Sequence, residues 1–218
     1  MFYEFDWGAI YHPAMWLNAV VVTLGYAVAS VVGGLLIGLV FGVAMLSRVA
    51  AIRYLVSAYV QLFRCTPLLV QIVWFFYALP MLTGLELSSW LAAGVGLTLY
   101  MGAFSTEIFR AGVMSIEKGQ WQAALALGMN YRQMMTNIIL PQAFRRMLPP
   151  VVSQSIIQLK NTSLLYVVAV PDLMYTASVI TSSTYRPLES YTFVALIYLI
   201  ILYPLTLFSK RLEARNDL

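Results

Sequence analysis

The sequence predicts an all-α integral membrane protein with five transmembrane helices and helical segments on the cytoplasmic side. Three observations carry that expectation. Hydrophobic residues make up 61% of the 218 and charged residues 10%, where soluble domains average about 45–50% and about 25%. Apolar stretches recur that could each cross the hydrocarbon core, which takes roughly 20 residues, so the chain has room for about five or six spans and little else. Between them lies one basic, partly amphipathic segment, residues 107–150, that suits a membrane edge better than lipid. No extramembrane catalytic domain fits. The single cysteine, Cys65, and the single histidine, His12, leave no internal disulfide and no Cys/His metal cluster. The N-terminus carries Glu4 and Asp6 and no basic residue, so it lacks the n-region of a secretory signal and the first helix is expected to remain.

The first span covers residues 17–46 and is free of charge. Within it Ser30, Gly34, Gly38 and Gly42 recur every fourth residue, which puts small side chains on one face where another backbone can approach. Glycines scattered through a lipid-facing helix are the alternative. The second span, residues 54–81, contains Arg64, Thr66, Pro67 and Gln71, and Pro67 removes one helix hydrogen bond. The third runs over residues 90–109 with Ser88 or Ser89 as its N-cap. The fourth, residues 148–170, is the most polar, holding Ser153, Gln154, Ser155, Gln158, Lys160, Asn161, Thr162 and Ser163. Polar groups at membrane depth must face protein or water. The fifth, residues 191–208, is almost wholly apolar, with Pro204 near its end.

Charge orients these spans. Arg48 and Arg53 follow the first span, Arg110, Lys118, Arg132, Arg145 and Arg146 lie between the third and fourth, and Lys210, Arg211 and Arg215 end the chain. In a five-span count all three groups fall on one side, and basic short loops mark the cytoplasm. The other side holds Glu4, Asp6, Glu86, Arg186 and Glu189. The N-terminus is therefore expected outside and the C-terminus inside, and the net charge of +4 reflects orientation and lipid headgroups rather than nucleic acid.

The cytoplasmic segment, about residues 115–146, has internal order. Residues 120–127 are strong helix formers and stop at Gly128, suited to a left-handed C-cap. Asn130 then offers an N-cap with Gln133 at the capping-box position, and the following helix is expected to end before Pro141. The short side chains of Ala123, Ala124 and Ala126 suggest a surface that enters a partner's groove, although a surface linker would show the same periodicity.

At this point a resemblance becomes specific. Gln122, Ala123 and Ala124, then Gly128, then Ile138 with Leu140 and Pro141, resemble the EAA loop, EAA-x3-G-x9-I-x-LP, of the membrane subunits of bacterial ABC importers. FRCTPLLVQ at residues 63–71, STEIFRAG at 105–112 and LKNTSLLYVV at 159–168 are similar to the polar amino acid branch of that family. The likeness covers nearly the whole chain. It departs at Gln122, which keeps the length of the motif's glutamate and loses its charge.

The resemblance implies a type I ABC importer permease, one transmembrane domain over residues 1–218, in a bacterial inner membrane. It implies a second permease subunit, identical or homologous, two ATPase subunits gripping the EAA loops, and an extracytoplasmic solute-binding protein. ATP and Mg would be bound on the ATPases and no cofactor by this chain, whose sequence has no GxxxxGK[ST] phosphate loop. Its task would be to form the path and turn motion at the docking loop into alternating access. An intramembrane enzyme would need a base or ligands at membrane depth, which one histidine ahead of the first span does not supply. A channel or scaffold is the other rival, separable by ATP dependence of flux, and neither rival explains the EAA-like loop.

The resemblance implies a polar L-amino acid as cargo, without saying which. Gln154, Gln158, Lys160, Asn161, Thr162 and Ser163 are the candidate path residues. Lys160 is the informative one, since a lysine at that depth is costly and is usually paired or functional. Relatives often have aspartate after it, where this chain has Asn161. An anionic cargo, glutamate or aspartate, is therefore expected, with basic or neutral polar amino acids as the alternative. Equally, Lys160 could pair with Glu107 or Asp172 and hold helices together. Glu107 with Arg110 one turn on reads as a structural ion pair, and Arg64 as a residue snorkelling to headgroups.

Overall fold

The computed structural model describes residues 4–216, and all of their regular structure is helical. Pro13 starts α1 (Pro13–Met45), where a missing N–H costs nothing and φ is already helical. At roughly 50 Å by the 1.5 Å rise per residue, α1 exceeds the hydrocarbon core. Against it lies α5 (Ser89–Met114), whose cap is Ser88: the Leu91 N–H donates to its Oγ at 3.3 Å. The small-residue stripe makes that contact. A Cβ added at Gly34 would lie 2.4 Å from Met101 Cγ, and one at Gly38 would lie 2.3 Å from Ser105 Cβ and 2.8 Å from the Ser105 backbone. Ser30, Gly34, Gly38 and Gly42 are all buried.

The second span is not one rod. Helix α2 (Ala50–Cys65) and the run Leu68–Thr83, made of α3 (Leu68–Val73), a π turn and α4 (Leu79–Thr83), meet at 105°. Pro67 therefore does more than remove a hydrogen bond, because Thr66 ahead of it is driven to extended backbone.

In the π turn Trp74–Ala78 the Leu79 N–H donates to Trp74 O, five residues back. That widened turn leaves room for the ring of Pro80, and the helix continues. The device recurs after the short helices α6 (Lys118–Ala126) and α7 (Tyr131–Met134). A π turn, Met135–Ile139, places the Leu140 N–H on Met135 O, and Pro141 becomes part of α8 (Leu140–Asn161) rather than a stop. The expected end before Pro141 is thus corrected, and the helix that carries the fourth expected span begins at Leu140.

After α8 a 3-10 turn, Thr162–Val168, leads to Ala169 at φ +58° and then to α9 (Leu173–Thr184), a helix outside the five expected spans. Its Ser and Thr side chains bond back to the backbone, Ser178 to Tyr175 O and Thr184 to Ile180 O, which weakens intrinsic helicity. Tertiary packing overrides this: Leu173, Ala177 and Ile180 bury beside Trp16, Ala19 and Val194. The last helix, α10 (Pro187–Asn216), starts earlier than expected and carries Pro204 within it.

Three helices, Pro13–Met45, Ser89–Met114 and Pro187–Ala214, are each long and apolar enough to cross a membrane, and the second bent pair, Tyr131–Val168 with Leu173–Thr184, turns by 44°. By length and composition the count is three, or up to five if each bent pair is one span.

Candidate functional site

The docking loop is built around Gly128. Its φ of +72° is a left-handed conformation that side chains disfavour. The Gly128 N–H donates to Leu125 O at 3.0 Å and the Met129 N–H to Ala124 O at 3.1 Å, the paired closure of a Schellman turn. One residue on, the Gln133 N–H donates to Asn130 Oδ1 at 2.9 Å while the Asn130 N–H donates to Gln133 Oε1 at 3.0 Å. This reciprocal box starts α7 and fixes the angle between the two short helices.

The loop has an inner and an outer face. Ala124 is fully buried among Val113, Ile116, Met134 and Ile139, so it fastens α6 to the body of the chain. Gln122, Ala123, Ala126 and Gly128 face outward, together with Leu125 and Leu127. The three alanines therefore do not form one docking patch. Ile138 is half-buried, and Leu140 and Pro141 are exposed where the loop turns into α8.

The polar residues of α8 also divide by face. Gln158 is fully buried, and its Nε2 donates to Leu97 O at 2.9 Å and Ser30 Oγ at 3.1 Å, tying α8 to α5 and α1. Gln154, one turn earlier, is buried too, and Thr162 is fully buried with its hydroxyl on Leu159 O. Lys160 is exposed, Asn161 and Ser163 are half-buried, and Asn161 Nδ2 reaches Gln158 Oε1 at 3.5 Å. Three residues expected on the path, Gln154, Gln158 and Thr162, are thus inside the protein, and Lys160 with its two half-buried neighbours is at the surface.

Of the expected ion pairs, the one between Glu107 and Arg110 is present, made one turn apart within α5. Asp172 joins no ion pair among the described residues: fully buried, it caps α9, accepting the Tyr175 N–H on Oδ1 at 2.8 Å. Lys160 meets neither carboxylate. Arg64 is exposed and lies 5.3 Å from the centre of the Phe104 ring, a cation–π contact.

Gln71, which the sequence marks only as a polar residue shortly after Pro67, holds the first helix break together. In an unbroken helix Phe63 O would accept from residue 67, and Pro67 has no N–H. The Gln71 Nε2 takes that place at 2.9 Å and also reaches Thr66 O at 3.1 Å and Thr66 Oγ1 at 2.8 Å. A proline with glutamine four residues later is the signal that could have shown it. Beside this joint lies a cavity of about 360 Å³ lined by Phe63, Thr66, Gln71, Trp74 and Phe75. Leu68, just after the first break, and Leu165, just before the second, share one buried cluster with Ile72 and Leu97. Two interrupted helices thus meet within the bundle, an arrangement in which transporters place cargo.

Comparison with known proteins agrees with this geometry. Residues 34–217 match the family described as binding-protein-dependent transport system inner membrane component. The probable glutamine ABC transporter permease protein GlnM of Bacillus subtilis (strain 168) is 39% identical over 204 residues, 94% of each chain. The glutamate/aspartate import permease protein GltK of Escherichia coli O6:H1 is 37% identical over 222 residues, 98% of this chain and 99% of its own. Relatives in this range carry names for glutamine, glutamate/aspartate and arginine transport. A crystal structure of an amino acid ABC transporter with histidines superposes at a TM-score of 0.91 with 29% identity, covering 98% of this chain and 100% of that one. The fold is that of type I ABC importer permeases, and the chain is a transporter subunit rather than an enzyme. The chain therefore belongs to the binding-protein-dependent transport system inner membrane component family, as a permease subunit of an amino acid ABC importer.

Proposed function

We propose that this subunit carries an acidic L-amino acid, glutamate or aspartate, through a bacterial inner membrane with its N-terminus outside and its C-terminus in the cytoplasm. Two partner ATPases would bind and hydrolyse ATP with Mg, gripping the outer face of α6 at Gln122, Ala123 and Gly128 and the turn at Ile138, Leu140 and Pro141. An extracytoplasmic binding protein would deliver the cargo to a pair of permease subunits. The observation that supports an anionic cargo is the charge balance at membrane depth. Lys160 is exposed and makes no ion pair among the described residues, while Glu107 is already engaged by Arg110. A cation left open at that depth favours a carboxylate. A second reading is glutamine, favoured by the 39% identical relative: Lys160 would then meet the α-carboxylate that every amino acid carries.

Lys160→Gln separates the two. Losing a charged contact in a partly dry site is worth about 1.5–3 kcal/mol, or roughly tenfold to a hundredfold in transport efficiency. On the acidic reading, glutamate and aspartate uptake falls by that factor while glutamine and arginine uptake holds and the melting temperature is unchanged. A uniform fall for all cargoes favours the second reading. A fall in melting temperature with acidic uptake intact would remove Lys160 from the path.

A further inference from the structure

Two hollows at the docking-loop end of the bundle remain unassigned. One, about 270 Å³, lies between α1, α5 and α8, and its wall is apolar throughout, with Leu39, Val43, Phe109, Phe144 and Met147 prominent. The other, about 400 Å³, is lined by Lys118, Trp121 and Tyr131. Leu46 and Val113 line both, so the two form one groove that is oily at depth and polar at its mouth.

The mouth has the composition of a lipid–water boundary. Trp and Tyr place an apolar ring and a polar tip at headgroup level, and Lys lays its stem on apolar surface with its charge in water. Lys118 is exposed and makes no ion pair among the described residues. Arg48, on the turn into α2, and Arg53, in the first turns of that helix, follow Leu46 in sequence, and Arg53 donates to Ser47 O and Arg48 O. On the slot side, Leu39 and Val43 are exposed on the same face of α1 as Leu36 and Val40, a continuous apolar surface in a helix that crosses the bilayer.

We propose that this groove holds an anionic phospholipid, one acyl chain in the slot beside Val43 and the phosphate at Lys118. The slot accepts hydrocarbon and rejects a headgroup. The mouth supplies a cation that no carboxylate of the described residues claims. The bound lipid would touch α1 and α5 through the slot and α6 through the mouth, so anionic lipid would bear directly on the helix proposed to meet the ATPase. The inference rests on the reading that the α6 end faces the cytoplasm, where anionic headgroups attract basic residues.

The test uses the full chain in detergent, mixed with dioleoylphosphatidylglycerol or dioleoylphosphatidylcholine, with retained lipid counted by native mass spectrometry. The parent is expected to keep one phosphatidylglycerol per chain over phosphatidylcholine by roughly fivefold, the size of one lysine at a charged surface. Lys118→Gln should bring the two lipids towards parity with lipid still retained. Val43→Trp, which fills the slot, should lower retention of both, and Leu39→Trp on the same wall is the second probe should Val43→Trp fold poorly. Equal retention of both lipids by the parent overturns the proposal. So does a preference that survives Lys118→Gln and falls instead with Lys210→Gln, which marks a diffuse lipid shell. Amino acid uptake by the reconstituted transporter is scored separately: retained lipid selectivity without uptake would leave the lipid site standing and defeat the transport reading.

Discussion

Among the glycines of α1, Gly38 is where an added Cβ would come nearest the α5 backbone, 2.8 Å from Ser105 C, and its sequence context already shows why. A stripe of small residues at every fourth position in an apolar helix is a packing face, and the clash of an added methyl with the Ser105 backbone leaves no flexible atom to yield. Gly38→Ala is therefore expected to destabilise by about 1–3 kcal/mol. Gly25→Ala in the same helix, where an added Cβ meets nothing within 4 Å, should be neutral or stabilise by about 0.5–1 kcal/mol through helix propensity. Thermal melting of both variants in detergent checks this, and equal melting temperatures would refute the assignment of Gly38 as a contact point. Lys160 was legible as a residue that must be paired or functional. Its freedom from Glu107 and Asp172 was not, because the sequence does not say that Asp172 is spent on capping α9.

Among the elements, those governed by local chemistry were the legible ones. The glycine stop of α6 and the Asn130–Gln133 box at the start of α7 follow from neighbouring residues alone, and the structure has both. Elements set by distant packing were not. Helix α9 is rich in Ser and Thr and forms because Leu173, Ala177 and Ile180 find α1 and α10. Pro141 reads as a helix stop, and the π turn ahead of it lets the helix pass. The local origin of the elbow yields a clean test. A Cβ at Gly128 would touch nothing within this chain, and asparagine, as bulky as valine, separates a conformational defect from a clash with the ATPase. Gly128→Val should leave the subunit inserted and assembled yet abolish cargo-stimulated ATP hydrolysis, whereas Gly128→Asn, which tolerates the left-handed region, should keep most of it. Normal stimulation in the valine variant would show that the elbow's angle is irrelevant to coupling.

For the whole molecule, the proposed orientation predicts that single cysteines at Ser88 and at Gln120, in a Cys65→Ala background, are labelled from opposite sides of the membrane. An impermeant reagent reaching both from outside would break the five-span arrangement. The close approach of α1 and α5 has a mechanical consequence. With the small-residue row of α1 set directly against Met101 and Ser105 and the Ser105 backbone, small sliding or shearing steps are opposed by tight packing, and the two helices behave as a single strut. Both interruptions, at Pro67 and between Val168 and Leu173, lie off that strut. On the proposed function, a change between outward and inward access would be taken up at those joints, with the lever that the ATPases pull hinged at Gln71 and Asp172 and braced on a row of glycines.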